Sequence, residues 1–498
     1  MSISIDTAKL TEVRQRNNLQ QSYNIEMTEL MGGTFWKPYT PEQVAGTEEF
    51  PTLLSYDELI AANSYGALMT KMDPINLYEP RIRTCAKALG TVIIRYSGSW
   101  ATCAYYDFDG HTNGNVPDGF ATVLTAEQWR GALDFAKAAG AKILVSLANC
   151  YGVHRDGKYE WTPDQAKLLW DFTEAYGMKI DYAEFMNQPD VSADSMLPEG
   201  YTMQDFCRDH DLFAKWLKEN HPETTLVGLS CSLDVPRIAG IMPSGMQFVE
   251  YSKLMLGGME IKPDVFSCHS YTGSSERLAS INGNHFQFSQ TLTEEYLGTT
   301  MDDLTYYASV RDEFIPNGEV WVTESGDAYG GGDTWASTFV ECFRYIDEQC
   351  RFAKLTKGVI FHNTFASSAY GFLDIYTHLP RPQYWAALLF NQLAGTTVYE
   401  TGEPLREGVH LYAFSRADGK QGACYIYLNN SQTDAITLNV PKCTRYTLSS
   451  DRLRSEKIFL NGKELKMVDD NTMPELNGQD ITAGELTLAP CTITYLVV

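Results

Sequence analysis

The chain has 498 residues, with 39 Lys and Arg against 63 Asp and Glu, a formal net charge of -24. Its length fits about two to four domains, or one large barrel with an appendage, and its 44% hydrophobic and 20% charged content is that of a globular protein rather than a disordered one. The acidic balance excludes the basic footprint expected for nucleic acid, and it argues against an anionic membrane surface or a heavily sulfated polymer.

The N-terminal residues Ser2–Asp6 alternate polar and apolar side chains. They predict a strand that joins a sheet formed later in the chain, so residues 1–20 are assigned to that later domain. From about residue 21 the pattern changes to short apolar runs alternating with amphipathic helices. Strands are predicted at 22–28, 91–97, 142–148, 180–186, 224–230, 264–269, 319–324 and 357–362. Two helices announce their starts. Thr125-Ala-Glu-Gln128 and Thr162-Pro-Asp-Gln165 both fit a capping box, with Pro163 at the first helical position. The second helix is expected to present Leu168, Leu169, Phe172 and Tyr176 on one face and to stop at Gly177. Eight strands alternating with helices predict an α/β protein with a (β/α)8 TIM barrel over 21–395; a doubly wound sheet shares the pattern.

After about residue 395 the helices cease. Val409–Phe414, Ala423–Leu428, Ala435–Val440 and Cys491–Val498 are read as alternating strands, with turns at Asp418-Gly419, Asn429-Asn430 and Asn461-Gly462. They predict a β-sandwich domain over 396–498. The eleven cysteines contain no CxxC pair, so they are read as buried small hydrophobes in a reducing compartment. No secretory signal pattern and no run of 18 apolar residues occurs, and a cytoplasmic location is expected. No HExxH, Walker A loop or clustered His ligands are seen, so no metal and no cofactor is expected.

In a barrel the chemistry sits where strands end at their C-terminal side. The fourth predicted strand runs into Asn187-Gln188-Pro189-Asp190, and the seventh into Thr323-Glu324-Ser325-Gly326. Retaining glycosidases use two carboxyl groups about 5–5.5 Å apart, one as nucleophile and one as acid/base. Glu324 suits the nucleophile, but its counterpart is Gln188, which can hydrogen-bond and cannot give up a catalytic proton. From spacing alone, Glu324 reads equally as a solvated loop carboxylate.

The motifs narrow this. Asn187-Gln188-Pro189 resembles the Asn-Glu-Pro signature of retaining barrel glycosidases, with Gln in place of Glu. Glu324-Ser-Gly-Asp-Ala-Tyr329-Gly330-Gly331-Gly332 resembles the nucleophile segment of glycoside hydrolase family 79, the heparanase-like glucuronidases. Similar blocks are Arg81–Ser99, Leu169–Pro189, Tyr370–Asp374 with Gln383-Tyr384-Trp385, and Leu460–Asp470 with Thr472, Pro474 and Leu476. The resemblance implies roles residue by residue. Glu324 would be the nucleophile, with Gln188 in the acid/base position. Asn187 would bind the sugar 2-OH, and Tyr271 would orient the nucleophile. Glu26 would bind a sugar hydroxyl, and Ser99 would supply a small polar contact. His269 is either a site residue or a satisfied structural histidine. A glucuronate carboxylate would be held by the backbone of Tyr329, Gly330 and Gly331 and by Tyr370, since glycines let amides approach an anion closely.

The expected function is therefore a retaining β-glucuronidase removing a terminal glucuronic acid from a small glucuronide or oligosaccharide. The alternatives are a heparanase-like endo-glucuronidase on a glycosaminoglycan, a retaining hydrolase of a neutral sugar, and a non-catalytic glucuronide-binding pseudoenzyme. The Gln188 mismatch predicts a Glu→Gln form with crippled turnover, because general acid assistance contributes roughly 10²–10⁴ in rate. The acidic surplus disfavours a long basic groove for a sulfated polymer. Aglycone contacts are expected from loops 100–120, 190–205 and 272–300, including Ser274, Ser275, Arg277, Asn282, Phe286 and Phe288.

Overall fold

A computed structural model describes residues 3–50, 68–157, 160–194, 196–240, 248–279 and 284–498. Eight parallel strands close into a barrel in chain order: Gln21–Glu26, Ile93–Ser97, Lys142–Ser146, Tyr182–Glu184, Thr225–Cys231, Val265–Ser274, Val320–Tyr329 and Ile360–His362. The eighth pairs with the first, so the sheet has no edge and the doubly wound alternative falls. Each strand lies where the hydrophobic pattern places it, with ends moved by a few residues.

Period-two alternation fills the barrel interior in layers. A lower apolar layer contains Ile93, Leu144, Val227, Val265, Trp321 and Phe361. Two residues further along several strands the character changes to Arg95, Ser146, Glu184, Ser267 and Thr323, all essentially buried. The C-terminal mouth is thus floored by polar groups resting on a hydrophobic plug.

The sixth and seventh strands have ten residues each, the longest in the barrel. Their pairing continues past the rim, with His269 opposite Glu324, Tyr271 opposite Gly326 and Ser274 opposite Tyr329. A register shift between Cys268 and His269 re-aims the upper half of this ribbon.

Several local expectations change. Thr125 caps its helix, Ala126–Ala139, through a reciprocal capping box with Gln128. Thr162 does not: its hydroxyl donates to the Val153 carbonyl at 3.0 Å, and Gln165 Oε1 accepts from the Tyr106 amide at 2.7 Å. That helix begins at Asp164, and its buried face is Ala166, Leu169, Trp170 and Thr173, while Leu168 and Tyr176 are exposed. Tertiary demand for Gln165 moved the start, and Trp170 set the buried stripe.

The C-terminal residues form two sheets. The larger runs Thr11–Gln15, Ala394–Glu400, His410–Arg416, Ala423–Asn429, Thr492–Val497, Cys443–Ser449 and the short strands beyond it. The smaller pairs Ile3–Ser4 with Ile436–Val440 and Gly484–Leu488. Residue 2 of the predicted N-terminal strand lies outside the described residues. The expected polar faces of 409–414 and 423–428 are absent. Leu411, Ala413, Tyr425 and Tyr427 pack toward the small sheet, while Tyr412, Phe414, Cys424 and Ile426 join the barrel's core. The large sheet is covered on both sides, so its central strands are apolar throughout.

Candidate active site

Arg95 organises the barrel mouth. It comes from the second strand and is fully buried. Its Nη2 donates to Glu184 Oε1 at 2.6 Å and to Asn187 Oδ1 at 2.7 Å, and its Nη1 donates to Glu324 Oε1 at 3.1 Å. Glu184 also accepts from Ser230 Oγ at 2.7 Å and from Ser146. Burial opposes the Arg95 charge, and Glu184 and Glu324 outweigh it. A buried cation is tolerated here because each nitrogen of the guanidinium meets an acceptor.

Glu324 is buried at the turn of the long ribbon. Its second oxygen accepts the Tyr271 hydroxyl at 2.7 Å and lies 3.3 Å from His269 Nδ1. Burial pushes its carboxyl above the usual range, while Arg95 and Tyr271 pull it back. Glu26 is buried across the mouth. Burial, then Glu324 and Glu29, push Glu26 well above the usual range. Arg95 bonds directly to Glu324, so the upward push is the stronger on Glu26. Glu26 and Glu29 cap each other's backbone at the start of Met27–Met31, and Gly98 leaves the space that Glu26 fills.

Gln188 stands on the other side of the mouth with φ +45°, in the left-handed region that a side chain enters at a cost. Asp190 fixes this turn by accepting the Ser232 and Leu233 amides at 2.8 and 2.6 Å. The Gln188 amide nitrogen is placed 3.0 Å from His269 Nδ1. Gln188 Nε2 and Glu324 Oε2 thus approach the same nitrogen, at 3.0 and 3.3 Å. Asn187 offers its oxygen to Arg95, and its amide nitrogen has no hydrogen-bond partner among the described residues.

The glycine loop closes the far wall. Gly330, Gly331 and Gly332 have φ of +86°, +90° and +79°, so each needs the freedom of glycine. Their carbonyls are all tied. Gly330 O accepts from Ser275 Oγ at 3.0 Å and Arg277 Nη1 at 3.1 Å, Gly331 O from Ser368 Oγ at 2.7 Å, and Gly332 O from Arg277 Nη1 at 2.8 Å and Tyr39 Oη at 3.1 Å. The N–H and C=O of one peptide plane point opposite ways. The amides of Gly330 and Gly331 accordingly have no partner among the described residues. Tyr370 lies buried beside them, its hydroxyl accepting from Asn363 Nδ2 at 3.2 Å; the same nitrogen reaches Tyr271 Oη at 2.9 Å.

The structure therefore gathers Glu324, Gln188, Asn187, His269, Tyr271, Glu26, Tyr370 and the loop Tyr329–Gly331 around one mouth. Ser99 ends up exposed in the short helix Ser99–Cys103, and its side chain makes no hydrogen bond among the described residues. Ser274, Ser275 and Arg277 are buried, and Ser275 and Arg277 brace the glycine loop instead of facing an aglycone. Phe286 packs on Tyr296, and Phe288 lies under Arg454. Asn282 lies outside the described residues. Arg95, Glu184 and Asn363 escaped the sequence reading. Trp36 did too; it packs on Gly331 from the hairpin Gly33–Trp36 and Met69–Met72.

A histidine cluster also escaped notice. Glu276, His285 and Asp333 bring ligand-type atoms within 4.8 Å of one another. Burial works against a charge on His285, but Glu276 and Asp333 raise its imidazole to about 9. The protonated ring is itself the cation of this group.

No family model matches the chain. A hyaluronoglucuronidase of Hirudo nipponia is 24% identical over 468 residues, covering 85% of this chain and 90% of that protein. A baicalin-β-D-glucuronidase of Scutellaria baicalensis is 26% identical over 474 residues, covering 85% and 83%. A heparanase of Mus musculus is 25% identical over 375 residues, covering 72% and 65%. Among solved structures, a 4-O-α-L-rhamnosyl-β-D-glucuronidase from Fusarium oxysporum 12S aligns with a TM-score of 0.63 at 11% identity, covering 100% of this chain and 99% of that one. At that identity it attests the barrel-and-sheet fold alone. The resemblance to the heparanase-like glucuronidases of glycoside hydrolase family 79 thus extends over most of the chain, well beyond the short motif blocks.

Proposed function

We propose that the protein is a glycosidase of the glucuronidase type, taking a terminal glucuronic acid by a retaining, double-displacement route. The observation that carries this reading is the pairing, in one mouth, of a tied-down carboxylate with an amide nest that has no partner among the described residues. Glu324 has its charge held by Arg95 and Tyr271 and is aimed by both. The Gly330 and Gly331 amides offer an anion two donors on a loop whose carbonyls are braced by the Arg277 cation.

The chemistry follows from the contacts. Glu324 attacks the anomeric carbon and gives up its negative charge as the ester forms; Arg95 and Tyr271, which hold that charge beforehand, stabilise it again when the ester is cleaved. Asn187 donates its free amide to the 2-OH, a contact that tightens in an oxocarbenium-like transition state. Glu26 hydrogen-bonds a sugar hydroxyl. The shared approach of Gln188 and Glu324 to His269 is compatible with the short spacing of a retaining pair. The glucuronidases named among the relatives support the sugar. The net charge of -24 favours a small glucuronide over a sulfated polymer.

The test is the Gln188→Glu variant assayed on p-nitrophenyl glucuronide and p-nitrophenyl glucoside. Turnover of the glucuronide with little of the glucoside is expected. Preference for the glucoside overturns the assignment of the glycine loop, and glucuronide binding without turnover would instead support a non-catalytic protein.

A further inference from the structure

Gln188 is more than a missing acid, because the groups around it determine which end of its amide faces the substrate. Arg95 Nη2 lies 3.4 Å from His269 Nε2. A guanidinium can only donate. Both Nη2 hydrogens already go to Glu184 and Asn187, so the cation only favours a lone pair on His269 Nε2; it is Glu324 Oε2, an acceptor of the Tyr271 hydroxyl lying 3.3 Å from Nδ1, that places the single proton of the neutral ring on Nδ1. Burial and then Arg95 hold His269 well below its usual range, so the ring is neutral. Nδ1–H faces Glu324 Oε2 at 3.3 Å and the Gln188 amide at 3.0 Å. Two donors cannot meet there, and oxygen and nitrogen of an amide exchange by a half-turn about its last bond. The amide thus turns its oxygen to His269 and its NH₂ away from that ring.

Building on the glucuronidase reading above, we propose that the site is suited to glucuronides whose aglycone departs as an anion, phenolic or acyl conjugates, with the Gln188 NH₂ donating a hydrogen bond to the leaving oxygen instead of a proton. In the first step Glu324 oxygen bonds to the anomeric carbon as the bond from that carbon to the aglycone oxygen breaks. The electron pair leaves on that oxygen, and solvent protonates it later. In the second step water attacks the same carbon, and the ester electrons return to Glu324. The water proton passes to a buffer base, because the Gln188 amide is not basic enough to take it. A small anionic nucleophile such as azide needs no proton removal and competes well for the glycosyl-enzyme. Alkyl and sugar glucuronides, whose alkoxides are poor leaving groups, react slowly.

The experiment is a leaving-group series on the unaltered chain and on Gln188→Glu, from dinitrophenyl through nitrophenyl and phenyl to methyl glucuronide. For the unaltered chain kcat/KM is expected to fall steeply along the series, with dinitrophenyl and methyl glucuronide differing by at least about 10⁴-fold, the upper range of general acid assistance. Gln188→Glu should flatten the series, gaining most at the methyl end. Azide should raise kcat on the dinitrophenyl substrate for the unaltered chain alone and yield the β-glucuronyl azide. Gln188→Leu keeps the bulk and lacks the donor. It should lower kcat/KM for nitrophenyl glucuronide about tenfold while leaving competitive inhibition by glucuronic acid unchanged. Equal, shallow series for both chains overturn the inference and leave the glucuronidase reading standing. An inert unaltered chain beside an active Gln188→Glu variant does the same. Both chains inert on every glucuronide overturn the two together.

Discussion

The two sides of the barrel mouth are built to different standards. Around Glu324 both carboxylate oxygens are answered: Arg95, Tyr271, Asn363 and Asn24 form a continuous buried network, with Asn24 Nδ2 reaching Asn363 Oδ1 at 3.0 Å. Around Gln188 one side-chain hydrogen bond is found among the described residues, to His269, and the backbone is in the left-handed region. Under the proposed function the first side would handle charge on a sugar carbon, and the second a proton. Only the first is complete, so charge stabilisation and proton transfer can be separated in this molecule by experiment.

The sharpest break removes the complete side. Glu324→Ala should lower kcat on every glucuronide by about 10⁴–10⁶-fold, including those with good leaving groups, as read by initial rates. Restoring the incomplete side is next: Gln188→Glu should raise kcat on phenyl or methyl glucuronide by about 10²–10⁴-fold. Arg95→Met leaves Glu184 buried without its partner and should cost about 3–5 kcal/mol, seen as a lower denaturant midpoint. Gly331→Ala tests the anion wall. An added Cβ there would come within 2.5 Å of Ser368 Oγ and Trp36 Cβ at φ +90°. KM for glucuronides should rise roughly tenfold, with a much smaller effect on any neutral glycoside.

The smallest expected effect lies away from the mouth, where barrel and sandwich meet. His410 is buried between Asp347, 2.6 Å from Nδ1, and Glu294, 2.7 Å from Nε2. Burial opposes its charge, but the two carboxylates raise it to about 9. A raised histidine contributes fully below its unfolded value of about 6.5. That contribution is lost as pH climbs through about 9. Stability should fall between those limits in thermal melts. His410→Gln should remove that slope, and an unchanged slope would count against this role for His410.

Most of the fold was legible because a closed barrel repeats one unit, and each strand carries its own apolar signal. The site was legible in part. Asn187-Gln188-Pro189 and the Glu324 segment are contiguous, so short motifs expose them. Arg95 was not, because Ile93-Ile-Arg-Tyr-Ser reads as a strand with one solvated side chain. Only barrel closure turns that side chain inward. Glu184 and Asn363 were hidden for the same reason. Arg277 was placed in an aglycone-facing loop because its partners are carbonyls of Lys37, Gly330 and Gly332, which no pattern of side chains reveals.

Thr11–Gln15 forms the edge of the large sheet, with Gln15 opposite Thr397. The side chains of these two residues, 382 positions apart, are hydrogen-bonded. On the ribosome this strand therefore emerges long before its partner exists. It must stay unpaired while the whole barrel is made, and the two-sided sheet can close only when the last strand, Thr492–Val497, has been released. Cutting the chain between the barrel and the sandwich would not yield two folding units: Thr11–Gln15 would stay with the barrel piece, and the sandwich piece would lack its edge strand.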